Sequence, residues 1–120
     1  MYPHHRFIQS YCHHGRIGVL IEFGLETWLV TQQEAFLSMA RDLAMHVAAS
    51  NPDSVESMVG QPFIRDPERT VGEVLAKGSE HLGERITITR FVRWDQEPRS
   101  PTEESTPPSG PAAAVRLKGA

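Results

Sequence analysis

Residues 7–23 read Phe-Ile-Gln-Ser-Tyr-Cys-His-His-Gly-Arg-Ile-Gly-Val-Leu-Ile-Glu-Phe, and their pattern decides the fold. Phe7 to Cys12 and Ile17 to Phe23 are runs rich in β-branched and aromatic residues. Between them His13-His14-Gly15-Arg16 is a four-residue connection with the glycine that a tight hairpin turn uses. In the second run Ile17, Val19, Ile21 and Phe23 alternate with Gly18, Leu20 and Glu22. That period of two belongs to a strand with one buried face.

A face of that kind needs a cover, and the next regular pattern supplies it. Ala35, Phe36, Met39, Ala40, Leu43, Ala44, Val47 and Ala48 recur every three or four residues, the stripe of an amphipathic helix. Thr31 and Glu34 have capping-box spacing at its start, and Pro52 disfavours helical geometry at Asn51, so the helix ends near Ser50. A loop through Gly60, Pro62 and Pro67 carries Phe63-Ile64, which reads as a plug into the core. Thr70 and Glu73 form a second capping box, opening a helix from Val71 to about Leu82. Gly72 and Gly78 each weaken that helix by up to roughly 1 kcal/mol, and Gly83 is placed to stop it in the left-handed conformation.

From Arg85 to Trp94 a last strand is predicted, with Ile86, Ile88, Val92 and Trp94 on one face and Thr87, Thr89, Phe91 and Arg93 on the other. The order β-β-α-α-β predicts an α+β fold, a three-stranded antiparallel sheet packed against helices. Residues 1–6 read as an N-terminal extension and 7–94 as one core domain. Residues 95–120 hold five of the nine prolines and few larger aliphatics, which predicts a disordered tail.

Composition narrows the function classes. Lysine and arginine number 12 against 15 aspartates and glutamates, a formal charge of −3, which speaks against a nucleic-acid binder held by phosphate contacts. No apolar run is long enough to span a membrane, and Met1 to Arg6 lacks the apolar stretch of a signal peptide. A single cysteine, Cys12, fits a reducing compartment, and the expected location is the cytoplasm.

Enzymatic chemistry finds little footing. His4-His5 and His13-His14 are adjacent pairs without accompanying metal-ligand spacing, and they read as exposed histidines. His46 falls in the last turn of the long helix, where an imidazolium suits the helix dipole. Cys12 beside a histidine reads more simply as a semi-buried strand residue than as an activated nucleophile. No phosphate-cradling loop or paired carboxylates appear. The expectation is a non-enzyme with no cofactor and no metal.

The unusual feature lies between the second strand and the long helix. Glu26-Thr27-Trp28-Leu29-Val30 puts three large apolar residues in a connection that is normally polar. Either all three fold inward over the core edge, or they form a protruding tip that inserts into a partner, tryptophan being a favoured interface anchor.

Several blocks together resemble the core domain of bacterial elongation factor Ts. They are His14 to Glu22, Glu26-Thr27, Asp42 to Pro52, Gln61 to Pro67, Leu82-Gly83-Glu84 and Arg90 to Arg93, in the family's order over roughly positions 8–95. The resemblance implies a three-stranded antiparallel α+β core. It implies binding to GDP-bound elongation factor Tu and acceleration of GDP release, without chemistry of its own. In that family a Thr-Asp-Phe-Val tip wedges into the partner's nucleotide domain, and here the matching residues are Thr27, Trp28, Leu29 and Val30. It further implies a shortened factor without the N-terminal helical domain, with only Glu56 to Gly60 where the family has a long helical stretch. Dimerisation through the core sheet is implied as well. The changed tip keeps a second reading open: a diverged relative serving as a dimerisation or adaptor module without exchange activity.

Overall fold

The structure, a computed structural model, describes residues 5–96. Strands β1 (His5–His13) and β2 (Ile17–Leu25) pair as an antiparallel hairpin, with Phe7 opposite Phe23 and Tyr11 opposite Val19. The turn passes through His14 and Gly15 at φ of 54° and 70°, and the Arg16 N–H donates to the His13 carbonyl at 2.9 Å. Two successive left-handed residues match the twist of the strands, which is why glycine sits there. Both strands outrun the apolar runs: β1 already includes His5 and Arg6, and β2 continues through Gly24 and Leu25. Strand β5 (Thr87–Asp95) pairs antiparallel with the other side of β2, giving the sheet order β1-β2-β5. The α+β class and the three-stranded antiparallel sheet are those the residue pattern predicts.

β5 breaks the expected alternation. Glu22 pairs with Arg90 but Phe23 pairs with Ile88, so Thr89 is an extra residue, a β-bulge. One inserted residue exchanges the two faces beyond it. Ile86 and Ile88 face the core, and past the bulge Phe91 and Arg93 stand opposite Ile21 and Val19. Val92 and Trp94 therefore do not share a face with the two isoleucines. They turn outward and are exposed.

Helix α1 (Glu34–Ser50) covers the inner face. Phe36, Ala40, Leu43, Ala44 and Val47 are buried with Val19, Ile21, Phe23 and Leu25 in one core. The Phe36 ring meets Phe7 and Phe23 edge-on, at centroid distances of 5.1 and 5.7 Å. The helix stops where Asn51 takes the left-handed conformation, φ 48°, ahead of Pro52. Its start differs from expectation. Thr31 lies inside a 3-10 turn (Trp28–Gln32) and its hydroxyl donates to the Trp28 carbonyl at 2.7 Å, so the capping box with Glu34 does not form. The turn swings Val30 into the core, and Thr31 is taken up in closing it.

Beyond α1 comes a short helix α2 (Val55–Val59), which buries Met58, and then a small hairpin of β3 (Pro62–Phe63) and β4 (Asp66–Thr70). Neither short element was legible in the sequence. Phe63 is buried as the plug, while Ile64 is half-buried. Helix α3 (Val71–Leu82) opens with the expected capping box: Glu73 N–H donates to Thr70 Oγ1 at 3.1 Å, and Thr70 N–H to Glu73 Oε1 at 2.9 Å. It ends at Gly83, φ 78°. Gly78 turns toward α1, where a Cβ would stand 2.6 Å from Met39 Sδ. Its helix-weakening effect is the counterpart of this close helix approach. The predicted tail falls outside the described residues, apart from Asp95 and Gln96 at the end of β5.

Candidate functional site

Leu25 ends β2 fully buried, and Val30 is buried again five residues later. Between these two anchors the chain runs out from the core and back. Glu26, Thr27, Trp28 and Leu29 are all exposed, Trp28 at 49% and Leu29 at 74%. Of the two arrangements left open by the sequence, this is a protruding tip with one apolar residue, Val30, folded inward. The indole is not loose: it lies against the rings of His5 and Phe7, with centroids 6.2 and 6.3 Å away.

The base of the tip is tied to a distant part of the chain. The Glu84 carboxylate accepts from the Glu26 N–H (3.0 Å), the Thr27 N–H (3.2 Å) and the Thr27 hydroxyl (2.7 Å). Thr27 thus turns its hydroxyl toward Glu84. Of the four tip residues, Trp28 and Leu29 alone present large apolar surface. Glu84 was legible only as part of a family block; its partner lies 57 residues away and carries no local signal.

The outer sheet face is a second apolar area. Ile8, Leu20, Val92 and Trp94 are exposed there, with Gly18 and Cys12 beside Trp94 in the same cross-strand row. Cys12 is exposed rather than semi-buried. At the edge of this patch Glu22 is nearly covered. It accepts from the Thr89 hydroxyl at 2.6 Å, from Arg90 Nε at 3.2 Å and from Arg6 Nη1 at 3.3 Å. The Thr89 hydrogen bond, with help from both guanidiniums, outweighs burial and lowers the carboxyl pKa below its ordinary 4.5. The same hydroxyl also donates to the Glu22 backbone carbonyl, so the cluster pins the bulge.

His46 is a further correction. It is fully buried rather than exposed at the helix end. The Ile64 N–H donates to Nδ1 at 3.3 Å, which places the ring proton on Nε2, donating to Gln61 Oε1 at 2.8 Å. His46 thereby fastens the Phe63-Ile64 segment to α1. The cation at the C-terminal end of α1 is instead Arg93 of β5, whose Nε donates to the Ala48 carbonyl at 3.1 Å. His14, being in the turn rather than a strand, brings its ring against that of His13 at 4.2 Å. Among the described residues no three His, Cys, Asp or Glu side chains group as metal ligands, and no helix is long and apolar enough to cross a membrane.

The family model described as Elongation factor TS matches residues 2–59, a span that includes the hairpin, the tip and α1. The chain is 31% identical over 133 residues to elongation factor Ts of Alkaliphilus oremlandii, covering 73% of this chain and 62% of the relative. Those 133 positions exceed the 120 residues present, so the relative carries residues with no counterpart here. Against elongation factor Ts of Nostoc the identity is 39% over 80 residues, 67% of this chain and 25% of the relative. Against that of Desulfotalea psychrophila it is 32%, covering 72% of this chain and 67% of the relative. The chain spans about 62% of the length of the first relatives it matches, and on these similarities it belongs to the elongation factor Ts family.

Proposed function

We propose that the protein binds elongation factor Tu in the cytoplasm and promotes release of its GDP, with Trp28 and Leu29 as the inserting residues and Thr27 and Val30 as their supports. The observation that carries this reading is the anchored apolar tip, held between two buried residues in a chain of this family. Such a tip does no bond-making. Its burial in the partner stabilises a partner conformation that holds magnesium and nucleotide poorly, a negative coupling between two ligands. A coupling of about 3 kcal/mol weakens nucleotide binding roughly 150-fold. Lacking the carboxylate of the family's tip, Trp28-Leu29 acts through apolar bulk. The test is release of fluorescent GDP from elongation factor Tu with and without this protein; unchanged release at saturating protein overturns the reading.

A second reading rests on the outer sheet face, which supports a homodimer packed through Ile8, Leu20, Val92 and Trp94. In its stronger form the protein is an adaptor that binds without exchanging nucleotide. The double replacement Trp28→Asp, Leu29→Phe separates the two. It creates or raises release activity if the altered tip is what silences an adaptor, and lowers it if the apolar tip is the working element.

A further inference from the structure

Glu84 does something that its place in the chain does not require. It stands just past the end of α3, where the helix carbonyls favour a cation rather than a carboxylate. Its carboxylate nevertheless takes three hydrogen bonds, all from the base of the tip. Its own backbone is held firmly: the N–H groups of Gly83 and Glu84 both donate to the Ser79 carbonyl, at 2.9 and 3.2 Å. On the far side the Ile86 N–H donates to Ser79 Oγ at 3.0 Å. One serine on a regular helix thus fixes the segment that carries the carboxylate.

We propose that Glu84 is the positioning residue of the tip, locking Glu26 and Thr27 so that Trp28 and Leu29 are presented in one orientation. This rests on the exchange reading above for its functional consequence, but its structural content is independent of it. Charge-assisted hydrogen bonds to a rigid acceptor reduce the ordering that a tip must undergo on binding. Without the carboxylate, water takes over the two N–H groups and the loop spreads over many orientations. If the competent orientation then falls to about a tenth of the population, apparent affinity for the partner falls about tenfold.

The experiment compares wild type, Glu84→Ala, Glu84→Gln and Thr27→Val. Three readouts apply: amide hydrogen exchange at Glu26 and Thr27, melting temperature, and the concentration dependence of fluorescent-GDP release from elongation factor Tu. Glu84→Ala is expected to speed exchange of the two amides at least tenfold and to raise the concentration needed for half-maximal release about tenfold, with a melting shift of roughly 5–10 °C. Glu84→Gln restores protection, because its carbonyl accepts from both N–H groups and its amide donates to the Thr27 hydroxyl. Thr27→Val, which deletes one contact, gives an intermediate change and carries the test if Glu84→Ala does not fold. Equal amide protection in wild type and Glu84→Ala overturns the proposal. A wild-type protein that accelerates no release overturns the exchange reading instead, and the amide measurement still decides the role of Glu84.

Discussion

The tip and the outer sheet face both expose large apolar side chains, yet they are built in opposite ways. The tip is a short excursion between buried Leu25 and Val30, held by hydrogen bonds from its own backbone to Glu84. The sheet face is broad, its side chains spread over three strands and bordered by the Glu22 cluster with Arg6, Thr89 and Arg90. A narrow anchored projection suits insertion into a cleft; a broad face suits packing against a matching face. The lesson is that apolar exposure alone does not define a role, and that backbone support separates the two.

The sharpest way to break this contrast is to remove the tip. Trp28→Ala with Leu29→Ala is expected to reduce stimulated GDP release by tenfold or more, up to the full coupling of about 3 kcal/mol. Leu29 is largely exposed and the half-exposed indole rests on His5 and Phe7, so the cost should stay near about 1 kcal/mol and the melting temperature should fall by about 4–8 °C. A large loss of stability with unchanged release would show that the tip is core cover. Next in size, Val92→Glu on the sheet face is expected to weaken self-association by about 2 kcal/mol, roughly thirtyfold. Sedimentation equilibrium reads this, and GDP release per chain should stay the same. If release falls in parallel with dimer dissociation, the two regions work as one.

Smaller effects come from the cluster at the border of the face. Glu22→Gln should cost about 1–2 kcal/mol at neutral pH, seen in urea unfolding, chiefly through the hydrogen bond with Thr89. The flanking arginines are well exposed, so their ionic share is slight. The pH dependence follows from the lowered pKa of Glu22. A carboxyl that is more acidic folded than unfolded contributes its full stabilisation above the ordinary value near 4.5, and loses it as the pH falls through the lower folded value. The stability gap between wild type and Glu22→Gln should therefore be constant above about pH 5 and shrink on acidification. A gap that widens in acid would mean the carboxyl is raised instead.

Local patterns are legible where a residue's neighbours in sequence are also its neighbours in space. The hairpin turn at His14-Gly15, the Thr70–Glu73 capping box and the Gly83 stop involve partners within a few positions, and all three form. The departures from local pattern share another cause. Thr31 has capping-box spacing with Glu34, but burying Val30 requires a 3-10 turn first. His46 has the position of a helix-end cation, yet Gln61 and Ile64 close over it. Thr89 looks like one more residue in an alternating strand, and its hydroxyl prefers Glu22 across the sheet. At the candidate site, Trp28 and Leu29 were visible as an oddity of composition, whereas Glu84 was not visible as their support.

By itself the chain's order of residues determined the hairpin, the two main helices, the α+β class and the suspicion that the connection after the second strand is unusual. These follow from periodicity and short-range hydrogen bonding, which act over a turn or a strand pair. Only the tertiary structure decided which apolar residues remain outside, through the bulge at Thr89, and which way the tip points, through a carboxylate 57 residues further along. Both depend on where distant strands and helix ends meet, and that is set by packing of the whole core rather than by any single segment.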